Sequence, residues 1–179
     1  MSAYLALTVS VGLLAVLDTW LFFGPLAGSL VTGLVWVSFI AWGCHFHSGG
    51  GTKGATTAIV CMSWGAFVGM ASVMLASGPL AALDDAVALG IAVGIGAAVI
   101  CLSSKVPILA TIPASVYGFA AIAGSMVLAQ KTPQAAILPT IIAIIIGAVF
   151  GYVSEMFANA MTRKATSHSA EAAATGEAA

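Results

Sequence analysis

The sequence predicts an all-α polytopic membrane protein of about six transmembrane helices, and three observations carry that prediction. Of 179 residues, 61% are hydrophobic and 6% charged, against about 25% charged in ordinary soluble domains. Mean hydropathy is +1.12. The apolar residues fall in long unbroken runs, such as 86–102 and 137–153, where a barrel would alternate over segments of roughly 10 residues. Only helices and closed barrels satisfy their backbone in lipid, so the runs read as helices. Five basic and six acidic side chains cannot coat a soluble surface or a nucleic-acid interface, and the apolar content excludes disorder.

A spanning helix needs about 20 apolar residues, and six segments qualify: 4–23, 26–46, 55–77, 86–104, 108–129 and 134–161. The first lacks the basic flank of a cleaved signal and is expected to be retained. Gly24-Pro25 then gives a tight hairpin into the second. The fifth and sixth contain or adjoin Pro107, Pro113 and Pro139, so some helices are expected to break at proline. Three spans in each half would make any internal repeat an inverted three-plus-three arrangement. Residues 108–113 and 137–141 look faintly alike and hint at one. Residues 1–162 form one transmembrane helical domain, and 163–179, rich in Ala, Ser, Thr and Glu, read as a disordered cytoplasmic tail.

Six spans put both termini on one side, together with Lys53, Lys105, Arg163 and Lys164. The other side holds only Lys131 and the acidic Asp84 and Asp85. The excess of basic residues predicts cytoplasmic termini. Three cysteines within apolar spans argue against a disulfide framework. The partners expected are the lipid bilayer, a small solute and, because six helices enclose little volume, further copies of the chain. No nucleic acid and no cofactor are expected.

Small residues spaced by four let helix backbones approach closely in lipid. Gly65/Gly69, Gly90/Gly94 and Gly147/Gly151 are therefore the expected packing glycines. A proline inside a span frees carbonyls that need polar partners, and Thr111, Ser115 and Thr140 flank Pro113 and Pro139. Intramembrane acids are costly and point to function, which singles out Asp18. Glu155, two turns before Arg163, reads more simply as a carboxylate reaching the interface.

Cys44, His45 and His47 offer zinc or copper ligands but lack a convergent third or fourth partner, so they are weak metal candidates and no metal is expected. Gly49-Gly-Gly-Thr-Lys-Gly lacks the Gly-Lys-Ser/Thr order of a phosphate loop. No nucleophile, base and orienting acid can be assembled, so the chain is not expected to be an enzyme.

Residues 36–54, with their Gly49-Gly-Gly-Thr-Lys-Gly turn, resemble the small bacterial inner-membrane proteins grouped as domain of unknown function 1097. So do Ile112-Pro-Ala-Ser-Val-Tyr-Gly and the stretch from Leu138-Pro-Thr to Gly147-Ala-Val-Phe-Gly-Tyr. The resemblance covers about residues 5–158 and implies a multi-pass protein of the bacterial cytoplasmic membrane. With no cofactor motif and few charges, the sequence reads best as a channel or transporter for a small neutral polar solute, such as urea or a short amide. Its solute path is expected at Asp18, Thr111, Pro113, Ser115, Tyr117, Pro139 and Thr140. The alternatives are a proton-coupled or metal-ion transporter, or a non-transporting scaffold.

Overall fold

The structure is a computed structural model that describes residues 2–128 and 130–175, with side chains to Thr162. Six α-helices follow in order: α1 (Ala3–Phe23), α2 (Val35–His47), α3 (Gly51–Ser77), α4 (Asp85–Ser103), α5 (Ile112–Leu128) and α6 (Pro133–Thr175), with a 3-10 turn at Pro107–Leu109 before α5. No strand occurs among the described residues. Helices α1, α3, α4 and α6 are long and apolar enough to cross a membrane, and α5 is a shorter apolar helix.

Three boundaries depart most from the sequence expectation. The second span, expected over 26–46, is helical only from Val35; residues 24–33 form a run of turns with one bend. Gly28 (φ 82°) and Gly33 (φ 77°) take left-handed backbone there, which side chains disfavour. Thirteen residues of α2 rise only about 20 Å, short of the roughly 30 Å hydrocarbon core of a bilayer. The fifth span is likewise interrupted, at Pro107–Leu109, and α5 starts at Ile112-Pro113, where proline's fixed φ suits a first turn. Pro139, by contrast, lies within uninterrupted helix. At the other end α6 runs on to Thr175, into the segment expected to be a disordered tail. Ala-rich sequence has high helix propensity, and extending an existing helix avoids the cost of nucleation. Residues 176–179 of that tail lie outside the described residues.

The packing has an internal symmetry. Helix α3 packs on α5 and α4, α6 packs in the same way on α2 and α1, and α3 and α6 cross at the centre. The scheme is unchanged when α1, α2 and α3 are exchanged for α4, α5 and α6. Burial follows it at an offset that is constant within each helix pair. Ala6, Ser10 and Leu14 of α1 correspond to Ala92, Gly96 and Ile100 of α4. On α2, Val37, Ser38, Ala41 and Cys44 correspond to Ala114, Ser115, Gly118 and Ala121 of α5. On the central pair, Met62, Gly65, Ala66, Gly69 and Ser72 correspond to Ile144, Gly147, Ala148, Gly151 and Ser154. Even the turns match. Ser29 and Thr32 N–H donate to the carbonyls of Leu26 and Ser29, as Val106 and Leu109 donate to Ser103 and Val106. Equivalent helices lie three apart in chain order, the arrangement of a three-plus-three repeat.

The repeat is legible in sequence, though not where 108–113 and 137–141 suggested it. Those segments belong to non-equivalent helices, α5 and α6. The matching signature is Gly-Ala-x-x-Gly-x-x-Ser, present at 65–72 and again at 147–154. Its glycines do the same job twice. A Cβ on Gly65 would collide with the Ser115 carbonyl, and one on Gly147 with the Ser38 carbonyl. A Cβ on Gly69 would sit 2.5 Å from Ile122 Cγ2, and one on Gly151 2.8 Å from His45 Cβ. Gly90 and Gly94 differ, since nothing lies within 4 Å of either and they face outward on α4.

Candidate functional site

Each short helix begins with an interrupted segment and places a serine at its fourth position, Ser38 on α2 and Ser115 on α5. Both face the central α3–α6 pair across a glycine. Both are buried, and among the described residues neither hydroxyl has a hydrogen-bond partner. Burying a hydroxyl without a partner costs about 1–3 kcal/mol. Two such groups at mirror positions in one repeat are therefore a candidate site.

The surroundings of the two serines differ. Cys61 lies beside the Ser115 hydroxyl, and its Sγ donates to the Ile108 carbonyl at 3.4 Å. Close by, a cleft of about 580 Å³ opens at the end of the bundle that holds the N-terminus. Thr52, Lys53, Thr56, Thr57 and Thr111 line it. Around Ser38 the equivalent ground is shut. Phe22, Val31 and Leu34 join one buried apolar cluster. Beneath them Asp18, 0% exposed, faces the Ser38 hydroxyl outside hydrogen-bond geometry. Neither Asp18 oxygen has a hydrogen-bond partner among the described residues.

The residues expected on a solute path are thus not brought into one lining. Thr111 and Ser115 share the open side, and Asp18 lies with Ser38 on the closed side. The Tyr117 ring meets His47 edge-on at 5.9 Å along a groove it shares with Ile40, Gly43 and Cys44. Thr140 donates to Ser125 at 2.9 Å, and Ser125 in turn to the Ala121 carbonyl, so that pair is internally satisfied. Pro139 is buried and Pro113 is exposed on the outer surface. Sequence reasoning missed Ser38, whose signal was its place in a repeat read at the wrong offset.

Glu155 does more than reach the interface. Its Oε2 accepts from Gly51 N–H at 2.6 Å and lies 3.1 Å from His45 Nε2. The carboxylate therefore caps the first turn of α3 and ties it to α2 and α6, where an anion also suits the helix dipole. A Cβ on Gly50 would sit 2.8 Å from that same oxygen. His47 turns instead toward Tyr117, and Cys44 Sγ lies 3.8 Å from Ser48 Oγ. Cys44, His45 and His47 consequently diverge, and no group of three metal-ligating side chains gathers among the described residues. Cys44, Cys61 and Cys101 are free thiols.

Comparison with known proteins identifies a family. The model of a family described as a protein of unknown function (DUF1097) matches residues 8–159. No curated protein and no solved structure matches the chain.

Proposed function

Since the chain belongs to the DUF1097 family, whose description assigns no activity, we propose from its architecture that it is a permeation protein for a small neutral polar solute. It is a multi-pass, non-enzymatic protein of the bacterial cytoplasmic membrane, with both termini in the cytoplasm. The observation that carries this reading is the mirrored pair of interrupted elements, each presenting a buried, unpartnered serine hydroxyl. Inverted repeats with discontinuous helices at corresponding positions are the architecture of alternating access, with the solute bound near the midplane between the halves.

The asymmetry between halves gives the mechanism. The cleft holding Thr52, Lys53, Thr56, Thr57 and Thr111 opens toward the Ser115 side, and Phe22, Val31 and Leu34 close the Ser38 side. A solute entering the cleft exchanges hydration for hydroxyl and turn-carbonyl hydrogen bonds. Exchange of the conformations of the two halves then opens the Ser38 side. Beyond Lys53 in the cleft, hydroxyls and carbonyls supply donors and acceptors without net charge, which suits urea or a short amide. Charge-selective pathways use rings of charged side chains or a carbonyl filter, and the spans offer one deeply buried acid, Asp18. We place the expected contact between copies on α4, because Gly90 and Gly94 alone of the six packing glycines lack a neighbour.

Proteoliposomes challenged with urea, formamide and glycerol gradients, followed by stopped-flow light scattering, test the proposal. Reswelling faster than in empty liposomes for at least one of these solutes is the expected result. Rates equal to empty liposomes for all three would overturn it.

A further inference from the structure

Asp18 is the buried group of the site that a neutral solute does not explain. It lies four residues after Leu14 and four before Phe22 on the buried stripe of α1, so its neighbours along the helix are apolar. Its carboxyl is fully buried, with neither oxygen hydrogen-bonded among the described residues. The side chain it faces, Ser38, also has an unpartnered hydroxyl. Elements packed on α1 are α2 and α6. The titratable groups they carry among the described side chains are Cys44, His45 and His47 on α2 and Tyr152 and Glu155 on α6. All lie more than a turn from Ser38 toward the terminal end, where His45 and Glu155 bind each other. Lys131 lies toward the opposite end, its Nζ donating to the Leu30 carbonyl at 2.5 Å. Among the described residues, therefore, no cation neutralises Asp18.

We propose that Asp18 and Ser38 form a binding site for a monovalent coupling cation, a proton or Na⁺, held between the two carboxyl oxygens and the serine hydroxyl. An isolated carboxylate is among the costliest groups to hold in a membrane interior, and such residues mark ion and proton pathways. Neutralisation by a bound cation removes that cost. The repeat supplies an independent reason. The Ser115 half has no acid beside its serine, so the carboxyl is an addition to one half of a symmetric frame and not a packing requirement of the fold. Resting on the permeation reading, the proposal makes the protein a cation-coupled carrier. The closed side then releases its cation only when Phe22, Val31 and Leu34 move apart.

The test is a labelling experiment that needs no transported solute. Dicyclohexylcarbodiimide partitions into lipid and reacts with a protonated carboxyl. The acid proton passes to a carbodiimide nitrogen, the carboxylate oxygen adds to its central carbon, and the adduct rearranges to a stable N-acylurea without losing atoms. The full chain in vesicles is labelled across a range from mildly acidic to mildly alkaline, with and without Na⁺, and K⁺ as control, and mapped by peptide mass spectrometry. Labelling at Asp18 that falls by an order of magnitude as pH rises, and ignores Na⁺, identifies a proton site. Protection by Na⁺ but not K⁺ identifies a sodium site. Labelling indifferent to pH and both ions, or absent from Asp18 at every pH, overturns the proposal. Asp18→Asn must lose the label at this position, and Asp18→Glu retains it in the ion-sensitive form. Ion-sensitive labelling without flux of any solute would sink the permeation reading alone. Flux that persists in Asp18→Asn alongside ion-indifferent labelling would sink the cation site alone.

Discussion

The repeat makes a quantitative prediction about glycine. Gly65→Ala and Gly147→Ala place a methyl group against the backbone carbonyls of Ser115 and Ser38, which cannot rotate away as a side chain would. A relaxed carbon–oxygen contact is about 3.3 Å or longer, so α3 must separate from α5, or α6 from α2. Overpacking of this kind costs typically about 1–3 kcal/mol, against a helix-propensity gain of about 0.5–1 kcal/mol for replacing glycine by alanine. With backbone as the obstacle the upper part of the range applies, leaving a net loss of about 1–2 kcal/mol. Gly90→Ala and Gly94→Ala meet nothing within 4 Å and keep the propensity gain. The two classes should therefore differ by about 2–3 kcal/mol, roughly 30- to 150-fold in the folded-to-unfolded ratio. Reversible unfolding in mixed micelles at increasing SDS, followed by tryptophan fluorescence, reads this directly. The mirrored pair should lose similar amounts. Equal stability across all four variants, or loss at Gly65 without loss at Gly147, would refute the symmetric packing.

Other substitutions test single contacts. Ser154→Ala leaves the buried Trp42 Nε1, now 3.1 Å from the Ser154 hydroxyl, without an acceptor and should cost about 1–3 kcal/mol in the same unfolding assay. Thr140→Val removes a donor to Ser125 while Ser125 keeps the Ala121 carbonyl. It should cost about 1 kcal/mol or less, and a loss as large as that of Ser154→Ala would contradict the assigned network. Glu155→Gln weakens the cap on Gly51 and the contact with His45. Because the carboxyl is one-third exposed, the expected loss is near the lower end of the roughly 1.5–3 kcal/mol given for hydrogen bonds to charged groups. Hydrogen exchange should localise it as faster opening at 49–54. Unchanged exchange there would remove Glu155 from its capping role.

Composition and apolar run length carried the membrane assignment, the helix count and most helix ends, because lipid leaves the backbone so few options. They did not locate the start of α2. Leu26, Leu30, Val31 and Leu34 are as apolar in turns as in a helix, and only Gly24-Pro25, Gly28 and Gly33 carried the distinction. Asp18 and Ser115 were legible as polar residues in apolar spans. Ser38 was not, because an isolated serine in a helix is ordinary and gains meaning only opposite its counterpart. Glu155 was placed at the right end of the bundle but without its partners, since Gly51 and His45 approach it from helices distant in sequence. The three small-xxx-small pairs were equivalent on paper; tertiary structure separates two that seat helices from one that stays open.

The central claim is that Ser38 and Ser115 are two halves of one permeation pathway. Stopped-flow reswelling with urea, formamide and glycerol, comparing the wild-type chain with Ser38→Ala, Ser115→Ala and the double variant, tests it most directly. Each replacement removes a hydroxyl that is unpartnered in the fold, so all three variants should remain monodisperse and unfold at or above the wild-type SDS level. Flux of the permeant solute should nonetheless fall in each single variant and approach the empty-liposome rate in the double. Wild-type flux retained in the double variant, or no flux in the wild type, would contradict the account.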